Sequence, residues 1–175
     1  MHIRKNILLT GNPGVGKTTI IKKVISGLKN KGGFFTEEIK EKGKRIGFRI
    51  VTIDGEKGIL AYREKGEFMI GPYSVNIKDL EEIAVKSVDS PIKEKDIVII
   101  DEIGKMEILS SKFRGVVMKA LESPKIVIGV IHRENSGFLK KIKERKDVEL
   151  IEVRFDNRDY VEKKLKEFFK IEEEL

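Results

Sequence analysis

Ile7-Leu8-Leu9-Thr10-Gly11-Asn12-Pro13-Gly14-Val15-Gly16-Lys17-Thr18-Thr19 is the stretch that decides the fold of this chain. The apolar run Ile7 to Leu9 has the length and flanks of a short buried strand. Gly11 to Thr18 then match G-x-x-x-x-G-K-[ST] in full. Beyond the glycines, Ile20, Ile21, Val24, Ile25 and Leu28 fall on one face of an amphipathic helix, and Gly32-Gly33 reads as its end. Chance would produce the glycine pattern roughly once in 150 chains of this size. A buried strand before it and a helix after it give the setting in which the pattern binds phosphate. Glycines let the backbone approach closely, and the loop amides point at the phosphates beside the positive end of the helix dipole. Gly11, Asn12, Pro13, Gly14, Val15, Gly16, Lys17, Thr18 and Thr19 are therefore the expected nucleotide-binding residues. Lys17 supplies a mobile positive charge and the Thr18 hydroxyl a Mg²⁺ ligand.

Downstream, the chain alternates strand and helix patterns. Phe34 to Ile39, Ile46 to Ile53 and Gly58 to Tyr62 read as strands, the last two joined at Asp54-Gly55. This middle region, roughly 34–75, looks antiparallel. Ile77, Leu80, Ile83 and Ala84 restore a helical period, with Asn76 as N-cap and Pro91 as its end. Ile97 to Ile100 lacks any polar alternation, as expected of a strand covered on both faces. A helix around Phe113 to Leu121, capped near Ser110 or Ser111, leads to a strand at Ile126 to Ile131. A short helix around Phe138 to Ile142, with Asn135 as N-cap, precedes a strand at Leu150 to Phe155 and a last helix carrying Tyr160 to Phe169. The pattern predicts an α/β fold, a P-loop three-layer sandwich with a mixed, mainly parallel sheet and an antiparallel hairpin region mid-chain, in one domain over 1–175.

Asp101 and Glu102 follow the second buried strand directly. A carboxylate at such a strand end positions Mg²⁺, and Asp101 fits that role. Side-chain alternation turns Glu102 another way, toward an attacking water beyond the γ-phosphate. A general base there must lie within about 3 Å of the water. Small-molecule kinases must instead exclude water. Glu102 as a surface or backbone-capping residue is the plainer alternative. Gly104 would permit a tight turn beside the ligand. Lys105 offers a phosphate contact, and Glu107 could orient Lys105 or a metal-bound water. At the end of the Ile126 to Ile131 strand, His132 and Arg133 stand where ligands bind in open α/β sheets. Arg63, Arg114 and Arg133 are unranked candidates for a transition-state arginine, whose lack would leave turnover slow. Phe34, Phe35 and Tyr73 could stack on a base, though strand or loop packing explains them more simply.

The pair Gly11-Asn12-Pro13-Gly14-Val15-Gly16-Lys17-Thr18-Thr19 and Val98-Ile99-Ile100-Asp101-Glu102-Ile103-Gly104-Lys105-Met106-Glu107 resembles the small standalone nucleoside-triphosphatase family of thermophilic prokaryotes, which includes the cancer-related nucleoside-triphosphatase of animals. Gly33 to Ile39 and Gly71 to Val75 are similar to further family motifs, so the resemblance covers nearly the whole chain. It implies a P-loop fold with an added glutamate and slow hydrolysis of several nucleoside triphosphates with little choice of base. Residue by residue it implies Gly11 to Thr18 at the triphosphate, Asp101 at Mg²⁺ and Glu102 at the water, with Lys105 and Glu107 as site neighbours.

Composition sets the outer bounds. The chain is 39% hydrophobic and 37% charged, which fits a globular protein with an ionic surface. No cysteine is present, so disulfides and thiolate metal sites are excluded. Glutamine and tryptophan are absent while Lys, Glu and Ile abound, the bias of a hyperthermophile protein. The apolar start is too short for a signal peptide or a membrane span, and a cytoplasmic protein is the expectation. The net charge of +7 leaves nucleic acid as a possible but unfavoured partner, because acidic and basic residues alternate along most segments. The competing readings are a nucleotide or small-molecule kinase, against which the lack of an arginine-dense insertion counts, and a nucleotide-gated nucleic-acid-binding module. Oligomeric state is unknown.

Overall fold

Alternating apolar runs and amphipathic helices build a nine-stranded sheet with helices on both faces. The structure, a computed structural model, describes residues 3–174. In chain order its strands are β1 (Asn6–Thr10), β2 (Lys31–Glu41), β3 (Lys44–Thr52), β4 (Lys57–Tyr62), β5 (Met69–Ile70), β6 (Tyr73–Val75), β7 (Ile97–Ile103), β8 (Ile126–Ile131) and β9 (Val148–Glu152). Their order across the sheet is β5-β6-β4-β3-β2-β7-β8-β1-β9. The five strands from β2 to β9 in that order are mutually parallel, while β2-β3, β3-β4, β4-β6 and β5-β6 pair antiparallel. The mixed sheet with its mid-chain antiparallel region is thus as the sequence led one to expect.

The helices are α1 (Lys17–Ile25), α2 (Ile77–Asp79), α3 (Lys86–Glu94), α4 (Ser111–Glu122), α5 (Gly137–Lys143) and α6 (Arg158–Glu174), with a π-helical segment Leu80–Val85 joining α2 to α3. Strand alternation sorts the core into two layers. Ile7, Leu9, Ile97, Ile99, Ile128 and Val130 face α1 and α6. Leu8, Val98, Ile100 and Val127 face the other way, onto α3, α4 and α5. None of the described helices is long and apolar enough to cross a membrane.

Two of the three expected side-chain caps form: Asn76 Oδ1 accepts from the Asp79 N–H at 2.9 Å, and Ser110 Oγ from the Phe113 N–H at 3.1 Å. Four boundaries differ from the sequence reading. Gly32 and Gly33 lie inside β2, not at the end of α1, which stops at Ile25. Gly33 has φ +123°, and a Cβ there would sit 1.9 Å from the Ile99 carbonyl oxygen of β7, so the glycine serves close strand approach. Pro91 lies within α3 instead of ending it. Its buried ring occupies the space a Gly32 side chain would need, with Cγ 2.3 Å from a Cβ built there, and tertiary packing overrides the local bias against an interior proline. Ser136, not Asn135, precedes α5, without a side-chain cap. β9 starts two residues earlier than Leu150 and stops before Phe155, because β1 pairs with Val148 to Glu152.

Candidate nucleotide site

The phosphate loop bridges the end of β1 and the start of α1. Gly11, Gly14 and Gly16 have φ of +141°, +79° and +106°, conformations that side chains rarely adopt. At Gly11 the requirement is also steric, since a Cβ would lie 2.5 Å from the Val153 carbonyl oxygen. Val15 is buried in the α1 layer and anchors the loop from below, while Asn12, Pro13, Gly14 and Thr19 are exposed to a ligand. Lys17 Nζ folds back over the loop, donating to the carbonyls of Gly11 at 2.6 Å and Asn12 at 3.3 Å. Burial holds its ammonium below the ordinary range; Glu102 and Asp101 pull it up, and Arg133 adds to the lowering. A polyanion above the loop would replace these carbonyl acceptors with charged ones.

Asp101 and Glu102 belong to β7 itself, not to a loop after it. The register against β8 shifts between Asp101 and Ile103, leaving Glu102 the unpaired residue of a bulge, a device that re-aims a side chain at a sheet end. Asp101 is only 2% exposed and accepts a hydrogen bond from the Thr18 hydroxyl at 2.7 Å. Burial pushes its carboxyl up to about 7, with Thr18 opposing and Glu102 adding. A buried carboxylate so disfavoured, beside a hydroxyl, suits a hard divalent cation: one carboxylate and one hydroxyl as protein donors, with phosphate and water completing the set. No cluster of three ligating side chains occurs among the described residues. The donor set therefore fits a cation shared with a phosphate ligand, not a self-contained protein cage.

The next turn is built around a second buried acid. Glu107 is 2% exposed and accepts from the Gly104 N–H at 3.0 Å. A Cβ on Gly104 would lie 2.6 Å from Glu102 Oε1 and 2.7 Å from Glu107 Oε2, so the glycine is wedged between both carboxyl groups. Burial, then the neighbouring Glu102, holds the Glu107 carboxyl well above the usual range. Glu102 is also raised by burial, with Lys17 opposing. Among the sequence candidates, Lys17, Thr18, Asp101, Glu102 and Gly104 are thus brought together. Lys105 is paired with Glu134 at 3.2 Å.

Arg133 Nη1 donates to Asn12 Oδ1 at 2.6 Å, which puts its guanidinium on the phosphate loop. Arg114 instead donates to the Ile108 carbonyl at 2.6 Å, and Arg63 follows β4 in the antiparallel part of the sheet. Of the three arginines, Arg133 is the one hydrogen-bonded to the phosphate loop. His132 Nδ1 accepts from the Glu134 N–H at 3.0 Å, and burial depresses its imidazole pKa below the ordinary value. Phe34, Phe35 and Tyr73 are buried, Phe34 edge-on to Phe113 and Tyr73 edge-on to Phe48, and none offers a face to a base. What the sequence reading missed is the contact of the Val153 turn with Gly11. Its local signal was Asn157, two residues past Phe155, the type of residue that closes a turn on its own backbone. Beside Thr10, Gly11, Asn12 and Arg133 opens a cleft of about 470 Å³.

Comparison with known proteins shows the family and the fold. The NTPase family model matches residues 6–166. The chain is 54% identical over 154 residues to "Nucleoside-triphosphatase THEP1" of Thermotoga sp. (strain RQ2), covering 87% of this chain and 88% of that protein. The crystal structure of THEP1 from the hyperthermophile Aquifex aeolicus superposes with a TM-score of 0.80 at 35% identity, covering 91% of this chain and 96% of that one. The solution structure of a human cancer-related nucleoside triphosphatase gives a TM-score of 0.75 at 33% identity, covering 91% and 94%. Strand order, phosphate loop and these likenesses converge, and the chain belongs to the NTPase family of P-loop proteins.

Proposed function

We propose that this protein hydrolyses ATP, GTP, CTP and UTP to the diphosphate and phosphate, slowly and with little choice of base, in a Mg²⁺-dependent reaction. The observation that carries the reading is the second carboxylate. Asp101 is committed to Thr18, while Glu102 stands on the bulge beside it, within the field of Lys17. A phosphoryl transferase that merely holds a metal needs only the first acid; a spare one at this place suits the activation of water.

In this scheme the loop amides and Lys17 hold the β- and γ-phosphates, and Thr18 and Asp101 would hold the cation. Bound Mg²⁺ would neutralise charge developing on the phosphate oxygens. Glu102 orients a water and takes its proton as the water oxygen bonds to the γ-phosphorus. The bond from γ-phosphorus to the bridging oxygen breaks, and the diphosphate leaves with the electron pair. Burial raises the pKa of Glu102, with Lys17 opposing, and so makes its carboxylate a stronger proton acceptor than an exposed one. Glu107 and Gly104 fix the backbone that carries it. Arg133 is the cation placed to meet a phosphate from the β8 side, but its own hydrogen bond to Asn12 must first be exchanged.

The test is phosphate release from each of the four nucleotides with Mg²⁺ at high temperature, for the wild type and Glu102→Gln. The expected loss in kcat for the variant is about 10²- to 10⁴-fold, with nucleotide binding retained. Release untouched by the substitution, or binding without release by the wild type, refutes the mechanism.

A further inference from the structure

Phe155 is the most exposed large apolar side chain among the described residues, at 69%. It belongs to neither core layer and sits at the tip of the turn after β9. That turn is fastened to the phosphate loop: the Val153 N–H donates to the Thr10 carbonyl at 2.8 Å, and the Val153 carbonyl lies where a Gly11 side chain would go. Asn157 closes it, accepting from the Arg154 N–H at 2.7 Å and donating to the Glu152 carbonyl at 2.9 Å. The ring is therefore carried on a backbone that is fixed beside the cradle before any ligand arrives. Arg158 lies over it, with Cζ 5.3 Å from the ring centroid, a cation–π contact that limits its motion.

The direction of the cradle gives the ring its meaning. Across the sheet the order is β7-β8-β1-β9. The carboxylates for metal and water come from β7, so the γ-phosphate lies on that side of the loop. The nucleoside must then extend the opposite way, toward β9 and its turn. We infer that Phe155 is the face on which the base of the bound nucleotide stacks, with Arg158 positioning the ring. The inference rests on Gly11 to Thr18 being the triphosphate cradle. A phenyl ring offers no donor or acceptor to a base edge and accepts any base through its π-face. Low base selectivity follows from such a platform directly.

The experiment compares the wild type, Phe155→Ala and Phe155→Tyr by titration calorimetry with Mg²⁺. Probes are non-hydrolysable adenine and uracil triphosphate analogues, and inorganic triphosphate, which has no base. Loss of one stacking contact predicts nucleotide binding weakened about 5- to 100-fold in Phe155→Ala. The effect is expected for adenine and uracil alike, with recovery in Phe155→Tyr and inorganic triphosphate unchanged within about twofold. Unchanged nucleotide affinity in Phe155→Ala overturns the inference, and so does an equal loss for inorganic triphosphate, which would mean a damaged cradle. A wild type that binds neither nucleotide nor triphosphate overturns the cradle reading itself. A wild type that binds inorganic triphosphate as tightly as nucleotide overturns only the base platform.

Discussion

Asp101→Asn in the ligand-free protein tests the electrostatics of the site quantitatively. In the folded chain Asp101 is almost wholly buried and its carboxyl keeps its proton up to about pH 7, against 3.8 for the ordinary group. A folded-state pKa above the unfolded one means that the folded form binds more protons. The stabilisation that goes with the raised pKa is complete below about pH 4 and is lost as pH rises through 7. About three pKa units at 1.36 kcal/mol each correspond to a loss of about 4 kcal/mol. Asparagine carries no charge and its amide oxygen can still accept from Thr18, so the variant escapes this loss. Chemical unfolding with a chelator present should give equal stability at pH 4 and a variant about 4 kcal/mol more stable at pH 8. Glu102 and Glu107, both raised, add slopes of the same sign to both proteins and do not affect the difference in direction. Parallel pH profiles for the two proteins would refute the account, and would mean that water reaches Asp101 in the free protein.

Two further outcomes follow from single contacts. Gly33→Ala places a methyl 1.9 Å from the Ile99 carbonyl at φ +123°, and should cost at least about 2 kcal/mol in an unfolding curve; a cost under about 0.5 kcal/mol would mean that β2 and β7 part without penalty. Arg133→Ala removes the guanidinium held on Asn12, and should lower kcat by about tenfold or more, below the effect of a fully engaged transition-state arginine, while leaving unfolding stability unchanged within about 0.5 kcal/mol. Steady-state kinetics with kcat unaltered would remove Arg133 from the reaction.

The phosphate loop was legible because its chemistry is local. Gly11 to Thr18 must place amides, a lysine and a hydroxyl within one turn, and the chain does so with consecutive residues. The same holds for the buried runs Ile97 to Ile100 and Ile126 to Ile131, whose lack of polar alternation announces helices on both faces. The caps at Asn76 and Ser110 are equally local. Where the sequence reading erred, a distant partner had intervened. Gly32-Gly33 looks like a helix stop until Ile99 and Pro91 are seen against it, and Pro91 looks like a helix end until Gly32 makes room for its ring. Phe34, Phe35 and Tyr73 are spaced as aromatic candidates, but sheet and helix cover them.

By itself, then, the sequence determined the P-loop α/β class and singled out Thr18, Asp101 and Glu102 as candidates, since residue type and short spacing carry that information. Tertiary structure alone decided that Glu102 rides a bulge, that Glu107 is buried under Gly104, that Arg133 and not Arg63 or Arg114 reaches the loop, and that the Val153 turn meets Gly11. Each of these depends on residues brought together from far apart in the chain or on the register of one strand against its neighbour. Burial and approach are properties of the packed neighbours, which no local pattern encodes.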